Sequence, residues 1–307
     1  MMIHVTDGFA PFPESGHPIE QMVMPLLTIM DEQVMTLGTG FMINPNGLMM
    51  TAVHVIKEGM KRMVKKTNDD GSIENVLGFY AFYVNYQKHV DSNESCLGGL
   101  LPIGKVSYSN EFDVGYCWLK RPIIEGKPLT FPVLPLSPGI PRVGENVLGM
   151  GYHQMKADIV SQTQENGTVI KYYERTALTT GQITEVYPGR RDCGMLSFPC
   201  FCTDARFEHG MSGGPILDEH GSVCGVICSC LPPGDDSPGY TSYGSLLWPT
   251  LGTSIEVIPY EGANPEMMSV YDLIHKGYIL TDETIANIKV VSEANGKKTV
   301  YVKPRQS

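Results

Sequence analysis

The chain has 307 residues, of which 42% are hydrophobic and 18% are charged, and its formal net charge is -10. This length and apolar content allow a large buried core and exclude the disordered class of proteins. The negative charge argues against nucleic acid and against anionic membranes as partners, because binding to either requires a concentrated basic surface.

The first 18 residues are rich in proline and glycine, and we expect them to form an arm on the surface. They lack the basic start and the apolar run of a signal peptide, and no apolar stretch of the sequence is long enough to span a bilayer. We therefore expect a cytoplasmic protein, in which the 8 cysteines are mostly reduced.

Short strand-like segments rich in β-branched and aromatic residues fill residues 19–250. The apolar runs TGFMI and LMMTAVHVI flank Asn44-Pro45-Asn46-Gly47, in which proline at the second position favours a type I turn and so a hairpin. A proline-rich segment that begins near residue 126 divides the region. The pattern predicts an all-β fold with two barrels or sandwiches, residues 19–125 and 126–250. We expect residues 251–307 to form an extension packed on them.

Two motifs in the first unit carry residues suited to acid–base chemistry. His54 follows Thr51-Ala52-Val53 at the end of a predicted strand, where a cleft can hold an imidazole in one tautomer. Asp113 opens the apolar strand VGYCWL, and a partly buried carboxylate requires a partner. Taken singly, His54 could equally be a structural histidine and Asp113 a turn or strand cap.

A third motif, in the second unit, is more specific. The segment Gly210-Met211-Ser212-Gly213-Gly214-Pro215 places a serine among three glycines immediately before the apolar pair Ile216-Leu217. Glycines allow the backbone angles of a tight turn, from which a nucleophile projects and neighbouring N–H groups point at a developing oxyanion. The alternative is a plain glycine-rich turn.

Together the three motifs resemble the trypsin-like serine peptidase family. The histidine segment of the family is similar to GTGFMINPNGLMMTAVHVI, its aspartate segment to FDVGYCWLK, and its serine segment to GMSGGPILDEHGSVCGVI. The resemblance covers roughly residues 20–250. The order His, Asp, Ser is that of the chymotrypsin arrangement. Within the family, the chain is most similar in style to the bacterial Deg-type branch. The similarity lies in NPNG before the histidine strand and in SGGPI followed by DEHG.

The resemblance implies both a fold and a chemistry. The fold is two packed six-stranded antiparallel β-barrels (chymotrypsin-like), with the active site in the cleft between them. The implied function is that of an endopeptidase in which Ser212 is the nucleophile, His54 is the general base and Asp113 orients His54. The N–H groups of Gly210 and Ser212 would form the oxyanion hole. No cofactor and no metal are implied, and the substrate would be a protein or peptide.

The resemblance also indicates positions for substrate binding. Cys228, Ser229 and Cys230 match the strand that pairs with the substrate backbone. Arg206, six residues before the serine, matches the base of the side-chain pocket, where an arginine would favour an acidic substrate residue. Alternatively, Arg206 turns out to solvent or onto Glu208.

Two positions depart from the secreted members of the family. Val55 stands where a cysteine usually follows the histidine, which agrees with a reducing compartment. Met211 stands where an aspartate pairs with a new N-terminal amine after proteolysis, and a thioether cannot form that ion pair. We therefore expect activity without N-terminal cleavage, with the oxyanion loop ordered intrinsically, by substrate or by an activating protein partner.

The cysteines cluster late in the chain, and their spacing leaves three interpretations open. Cys200-x-Cys202 and Cys228-x-Cys230 could indicate a zinc site, a redox-sensitive site or the packing of small apolar side chains.

Two other functions also remain open for the chain as a whole. It could be a catalytically silent member of the family that serves as a binding module, or an esterase-like hydrolase with the same triad.

Overall fold

The computed structural model describes residues 9–11, 18–30, 33–61, 63–67, 73–86, 96–153, 156–163, 167–173, 176–231, 240–257, 264–293 and 298–303. Most of the expected N-terminal arm, residues 1–8 and 12–17, lies outside these ranges. In this part of the chain, no helix is long and apolar enough to cross a membrane.

The first half of the chain forms an antiparallel β-barrel. Its elements in chain order are β1 (Phe9–Pro11), α1 (Pro18–Met22), β2 (Val23–Met30), β3 (Gln33–Asn44), β4 (Leu48–Thr51), α2 (Val53–Met60), β5 (Met63–Thr67), β6 (Ile73–Leu77), β7 (Phe79–Tyr86), β8 (Cys96–Tyr108) and β9 (Gly115–Leu119). Six strands pair in the order β3-β2-β7-β8-β9-β4, and β4 closes the ring on β3. Strands β5 and β6 form a separate hairpin.

The predicted hairpin before the histidine is present. Strands β3 and β4 pair from Gly40 opposite Thr51 to Asn44 opposite Leu48. The Gly47 N–H donates to the Asn44 carbonyl at 3.2 Å, and the Asn44 side-chain oxygen accepts from the Asn46 N–H at 2.7 Å. Gly47 has φ +99°, a conformation that glycine adopts without steric cost. This turn sets the register of the strand that leads to His54.

The second half of the chain forms a second antiparallel barrel. Its elements are β10 (Ile123–Ile124), β11 (Lys127–Pro128), β12 (Asn146–Tyr152), β13 (Lys156–Thr163), β14 (Gly167–Tyr173), β15 (Thr176–Tyr187), β16 (Cys200–Thr203), β17 (Pro215–Leu217), β18 (Val223–Leu231) and β19 (Thr241–Leu246). Six of these strands pair in the order β15-β12-β17-β18-β19-β16, and β16 closes the ring on β15. The fold prediction of two six-stranded antiparallel barrels is therefore confirmed.

Three further strands are added to the edges of these rings. Strand β1 pairs with β15 of the second barrel, with Phe9 opposite Thr179. The β13–β14 hairpin, which leaves the second barrel, pairs with β3 of the first barrel, with Asp158 opposite Gln33. The two barrels are thus joined by backbone pairing as well as by the connector.

The last part of the chain forms an extension of short helices and strands. It contains a 3-10 helix (Trp248–Gly252), β20 (Ser254–Val257), β21 (Glu266–Ser269), α3 (Val270–His275), a second 3-10 helix (Glu283–Asn287), β22 (Ile288–Ser292) and β23 (Lys298–Val302). Its apolar residues share one buried cluster with the first barrel.

Hydrogen bonds tie this extension to the first barrel and to the connector. The Tyr116 hydroxyl is 2.6 Å from the Thr250 hydroxyl, and the Asn44 side-chain amide donates to the Tyr278 carbonyl at 2.5 Å. In the proline-rich connector between the two barrels, the Leu136 N–H donates to the Leu280 carbonyl at 2.9 Å. The extension therefore braces strand β9, which begins two residues after Asp113.

Candidate active site

His54 and Asp113 lie side by side on the first barrel. Strand β4 ends at Thr51 and α2 begins at Val53, so that His54 stands in the first turn of α2. Asp113 precedes β9, which pairs with β4 with Gly115 opposite Thr51. The pairing of these two strands therefore brings the residues together although 59 positions separate them in the chain.

The contact between these two side chains orients the imidazole ring. The His54 Nδ1 atom is 2.9 Å from Oδ2 and 3.2 Å from Oδ1 of Asp113, and the His54 backbone N–H donates to Oδ1 at 3.1 Å. The Asp113 side chain is 13% exposed, whereas the His54 side chain is 47% exposed. With Nδ1 as the donor to the carboxylate, Nε2 is the free acceptor of the neutral ring.

The serine directly follows a turn of defined type on the second barrel. The Met211 N–H donates to the Glu208 carbonyl at 3.1 Å, which closes a four-residue turn. Gly210, its third residue, has φ +96°, whereas His209 has no positive φ. This combination identifies a type II turn, which requires glycine or asparagine at its third position.

Two N–H groups in this loop are left open. Among the described residues, neither the Gly210 N–H nor the Ser212 N–H donates to any acceptor, although their neighbours do. The Gly213 N–H donates to the Ile227 carbonyl at 2.8 Å, and the Gly214 N–H donates to the Met211 carbonyl at 2.9 Å. Backbone N–H groups without an acceptor in the protein remain available to a bound group, and such donors can stabilise a negatively charged oxygen.

The loop packs so closely on the first barrel that a side chain after Ser212 could not fit. A Cβ atom on Gly213 would lie 2.2 Å from the Thr51 hydroxyl oxygen and 2.3 Å from the Thr39 carbonyl oxygen. Gly213 also has φ +86°. The half-buried Ser212 is thereby held at the boundary of the two barrels. No hydrogen bond links its hydroxyl to His54 in the part of the chain described, and such contacts often tighten only with substrate bound.

A family model described as "Trypsin-like peptidase domain" matches residues 38–226, more than half of the chain. The chain belongs to the trypsin-like peptidase family. The match includes His54, Asp113 and Ser212. No curated protein matches the chain at a significant level.

Several solved structures resemble this trypsin-like peptidase. The protease domain of MamO from Magnetospirillum magneticum is 10% identical, with 74% of this chain and 93% of that chain covered and a TM-score of 0.44. Rv3671c from M. tuberculosis H37Rv is 20% identical, with 76% and 88% covered and a TM-score of 0.42. Deg5 is 18% identical, with 73% and 84% covered and a TM-score of 0.40.

The three positions expected to bind the substrate backbone lie at the end of β18. Strand β18 is irregular between Ile227 and Ser229, so that Cys228 forms a bulge against β19. Cys228 is 9% exposed and its thiol donates to the Tyr243 carbonyl at 3.1 Å, whereas Ser229 and Cys230 are half-buried. A bulge of this kind bends a strand and interrupts its pairing.

Cys228 also has a neighbour that the sequence did not indicate. Burial raises the pKa of the Cys228 thiol well above its ordinary value, and the negative charge of Asp113 raises it further. The Cys228 thiol therefore stays protonated, and the charge of Asp113 contributes to this. No motif links these two positions in the sequence, since they lie on different barrels.

Arg206 is occupied by a partner within the chain. Its guanidinium group is 2.5 Å from Glu208 Oε1 and lies over the Tyr240 ring, 5.3 Å from the ring centroid. Of the arrangements open to the sequence, the structure shows the pairing with Glu208. In the unbound peptidase, the charge of Arg206 is thus already balanced.

The late cysteines pack as apolar side chains. Cys200, Cys202 and Cys228 form a buried cluster with Leu196 and Tyr243. Burial raises the pKa of the Cys200 thiol to about 11, so this thiol is protonated at neutral pH. Over the described ranges, no group of three or more side chains is placed to bind a metal ion, and the seven cysteines whose side chains are described are free.

Proposed function

We propose that the chain is an active serine endopeptidase, with His54, Asp113 and Ser212 as its catalytic triad. One observation carries the proposal. The N–H groups of Gly210, in the type II turn before the serine, and of Ser212 itself donate to no acceptor among the described residues, which supports a preformed oxyanion hole. A binding module that never stabilises an oxyanion has no need of such a turn. The seven free cysteines support the further proposal of a reducing compartment, such as the cytoplasm.

The proposed reaction follows the geometry of these groups. The Ser212 hydroxyl attacks the scissile carbonyl carbon while His54 Nε2 takes its proton, and Asp113 stabilises the imidazolium that forms. The negative carbonyl oxygen accepts hydrogen bonds from the N–H groups of Gly210 and Ser212. The imidazolium then donates its proton to the leaving amine, which gives an acyl-enzyme on Ser212. Water, deprotonated by His54, releases the acid and restores the serine.

The proposed substrate is a protein or peptide bound in extended form. The backbone of Cys228, Ser229 and Cys230 at the end of β18 would pair with it as an added strand. Arg206 is the candidate for contact with the substrate side chain, in competition with Glu208. An activating protein partner is not required by a preformed oxyanion turn, yet it remains compatible with the fold.

Two experiments test this function against its alternatives. A fluorophosphonate probe should label the wild type and fail to label Ser212→Ala, whereas Ser292→Ala, an exposed serine of β22, should label normally. Cleavage of a peptide library should fall roughly 10³-fold or more in Ser212→Ala, because the triad acts as a unit. Labelling without peptide cleavage would favour the esterase, and no labelling of the wild type would favour the silent binding module.

A further inference from the structure

The hydroxyl group of Thr39 joins the two barrels at the oxyanion turn. Thr39 lies on β3 of the first barrel and is fully buried. Its Oγ1 donates to the Gly210 carbonyl at 2.9 Å and accepts from the Tyr152 N–H, at the end of β12, at 3.0 Å. A threonine hydroxyl has a single proton, and here it is given to the turn that carries the oxyanion hole.

The peptide group that follows Gly210 is held at both of its polar ends. Its carbonyl oxygen accepts from Thr39, and its N–H, which belongs to Met211, donates to the Glu208 carbonyl. A peptide group is planar, so that these two bonds fix its orientation as a unit. The Gly210 N–H belongs to the preceding peptide, which is related to this one through the φ and ψ angles of Gly210, and glycine, lacking a Cβ, limits those angles little. Holding the peptide after Gly210 therefore removes part of the freedom that would otherwise let the Gly210 N–H turn away.

Tyr152 closes the space on the other side of Gly210. The Tyr152 carbonyl oxygen lies 2.6 Å from the place where a Cβ atom on Gly210 would stand. The Tyr152 hydroxyl donates to the Val23 carbonyl of the first barrel at 3.1 Å, which anchors that residue in turn. Gly210 is therefore packed between Tyr152 and Thr39.

The backbone of Thr39 contacts the other parts of the candidate site. Its N–H donates to the Ser212 carbonyl at 2.8 Å. Its carbonyl accepts from the Thr51 hydroxyl at 2.6 Å, on the strand that leads to His54. One buried residue of the first barrel is thus bonded to the turn, to the serine and to the histidine strand.

We infer that Thr39 is a positioning residue, whose hydroxyl holds Gly210 so that its N–H is offered to the transition state. The inference rests on the proposed peptidase function. The hydroxyl of Thr39 bonds only to backbone atoms of Gly210 and Tyr152 among the described residues, so its effect on the reaction would be indirect, through Gly210. An interaction that serves only the transition state changes kcat and leaves KM, so this pattern distinguishes positioning from a general structural role.

The test compares four substitutions in the full chain with a peptide substrate. Thr39→Val keeps the shape and removes both hydroxyl bonds, whereas Thr39→Ser keeps them. Thr28→Val is the matched control, because Thr28 is equally buried on the neighbouring β2 and its hydroxyl has no partner among the described residues. Thr39→Ala is a second variant in case valine impairs folding, and all rates are divided by the folded fraction measured by circular dichroism.

Loss of an oxyanion donor lowers kcat roughly 10²- to 10³-fold, so loss of its support should lower kcat roughly 10- to 100-fold, with KM changed less than about twofold. Thr39→Ser and Thr28→Val should stay within about threefold of the wild type.

A wild-type kcat in Thr39→Val or Thr39→Ala overturns the inference, as does a loss in Thr39→Ser equal to that in Thr39→Val. If Ser212→Ala also cleaves normally, the peptidase function itself has failed. If the Thr39 variants give one of these results while Ser212→Ala is inactive, the peptidase function stands and only the role of Thr39 has failed.

Discussion

The backbone N–H of Glu208 donates to the Sδ atom of Met211 at 3.3 Å, inside the turn that precedes the serine. Met211 is fully buried and packs in the apolar cluster of the second barrel with Phe207 and Ile216. The side chain just before Ser212 therefore orders the turn through packing and a weak hydrogen bond, in place of an ion pair with an N-terminal amine.

We accordingly expect the protein to react without N-terminal trimming. The thioether of Met211 cannot pair with an ammonium group inserted beside it, and a buried unpaired charge is strongly disfavoured. Intact-mass spectrometry of fluorophosphonate-labelled protein should show the untrimmed mass plus the probe. Labelling confined to molecules shortened at the N-terminus would contradict this prediction.

The contact between His54 and Asp113 predicts the result of a nearly isosteric substitution. Asp113→Asn should lower kcat roughly 10⁴-fold, because an amide group facing Nδ1 favours the tautomer whose Nε2 already carries a proton. Asp282→Asn is a suitable control, since Asp282 accepts from the Thr284 N–H as a helix cap and asparagine caps equally well. Peptide hydrolysis and thermal unfolding should be measured on both variants. Normal hydrolysis by Asp113→Asn would exclude Asp113 from the triad.

Local signals in the sequence were sufficient for the hairpin and for the serine turn. Proline at the second position and glycine at the fourth of Asn44–Gly47 specify a turn through the preferences of the backbone alone. The glycines around Ser212 likewise carry their own signal, because positive φ at Gly210 and Gly213 requires that residue type.

The remaining parts of the site depend on contacts between distant segments. Thr39 reads as an ordinary strand threonine until β12 and the serine turn are brought against it. The effect of the Asp113 charge on the pKa of the Cys228 thiol likewise requires both barrels in place. From the sequence, the Arg206 side chain could face either a pocket or a neighbouring residue. Its pairing with Glu208 depends on side-chain geometry, which backbone preferences do not determine.

Gly213 should be the least replaceable glycine of the serine loop. A methyl group there meets two oxygen atoms at 2.2 and 2.3 Å and is also strained by φ +86°. Gly221 is the matched control, because it has φ +78° and open space around it. We expect Gly221→Ala to cost about 1 kcal/mol of unfolding free energy and Gly213→Ala more than about 3 kcal/mol. Urea unfolding would measure both, and equal losses would show that packing against the first barrel is unimportant.

Neutralising Glu208 should make the charge of Arg206 available to substrate. In Glu208→Gln, we expect kcat/KM for peptides with glutamate at the cleaved position to rise roughly fivefold relative to peptides with alanine there. This factor corresponds to the free energy of a partly exposed ion pair between Arg206 and the substrate glutamate. The added substitution Arg206→Ala should abolish the gain, and Glu219→Gln, an exposed change elsewhere, should have no effect. A profile that is the same in all four proteins would place Arg206 outside the substrate pocket.

The buried hydroxyl of Tyr116 predicts a pH dependence of stability. Burial raises the pKa of Tyr116 far above its ordinary value of 10.0, so the folded chain keeps a proton that the unfolded chain releases. The stability from this group is present below pH 10 and is lost as the pH rises above it.

Tyr116→Phe should therefore cost about 1 kcal/mol near neutral pH, through loss of the bond to Thr250. The difference from the wild type should shrink by up to about 1.4 kcal/mol per pH unit above pH 10. Tyr301→Phe, at a side chain that is 58% exposed, should show neither effect in urea unfolding. A difference that does not change between pH 8 and pH 11 would contradict the assignment.

The bond from the Thr39 N–H to the Ser212 carbonyl makes the position of the proposed nucleophile depend on both halves of the chain. The second barrel by itself supplies the serine and lacks the surface that seats it. The exposed hairpin of β10 and β11 lies in the chain between the last strand of the first barrel and the first strand of the second barrel. The chain could be divided there. Two fragments separated there would each carry part of the triad, and hydrolysis would return only when they reassembled. The enzyme could then serve as a split reporter, with turnover of a fluorogenic peptide as its signal for the association of any two proteins fused to the fragments.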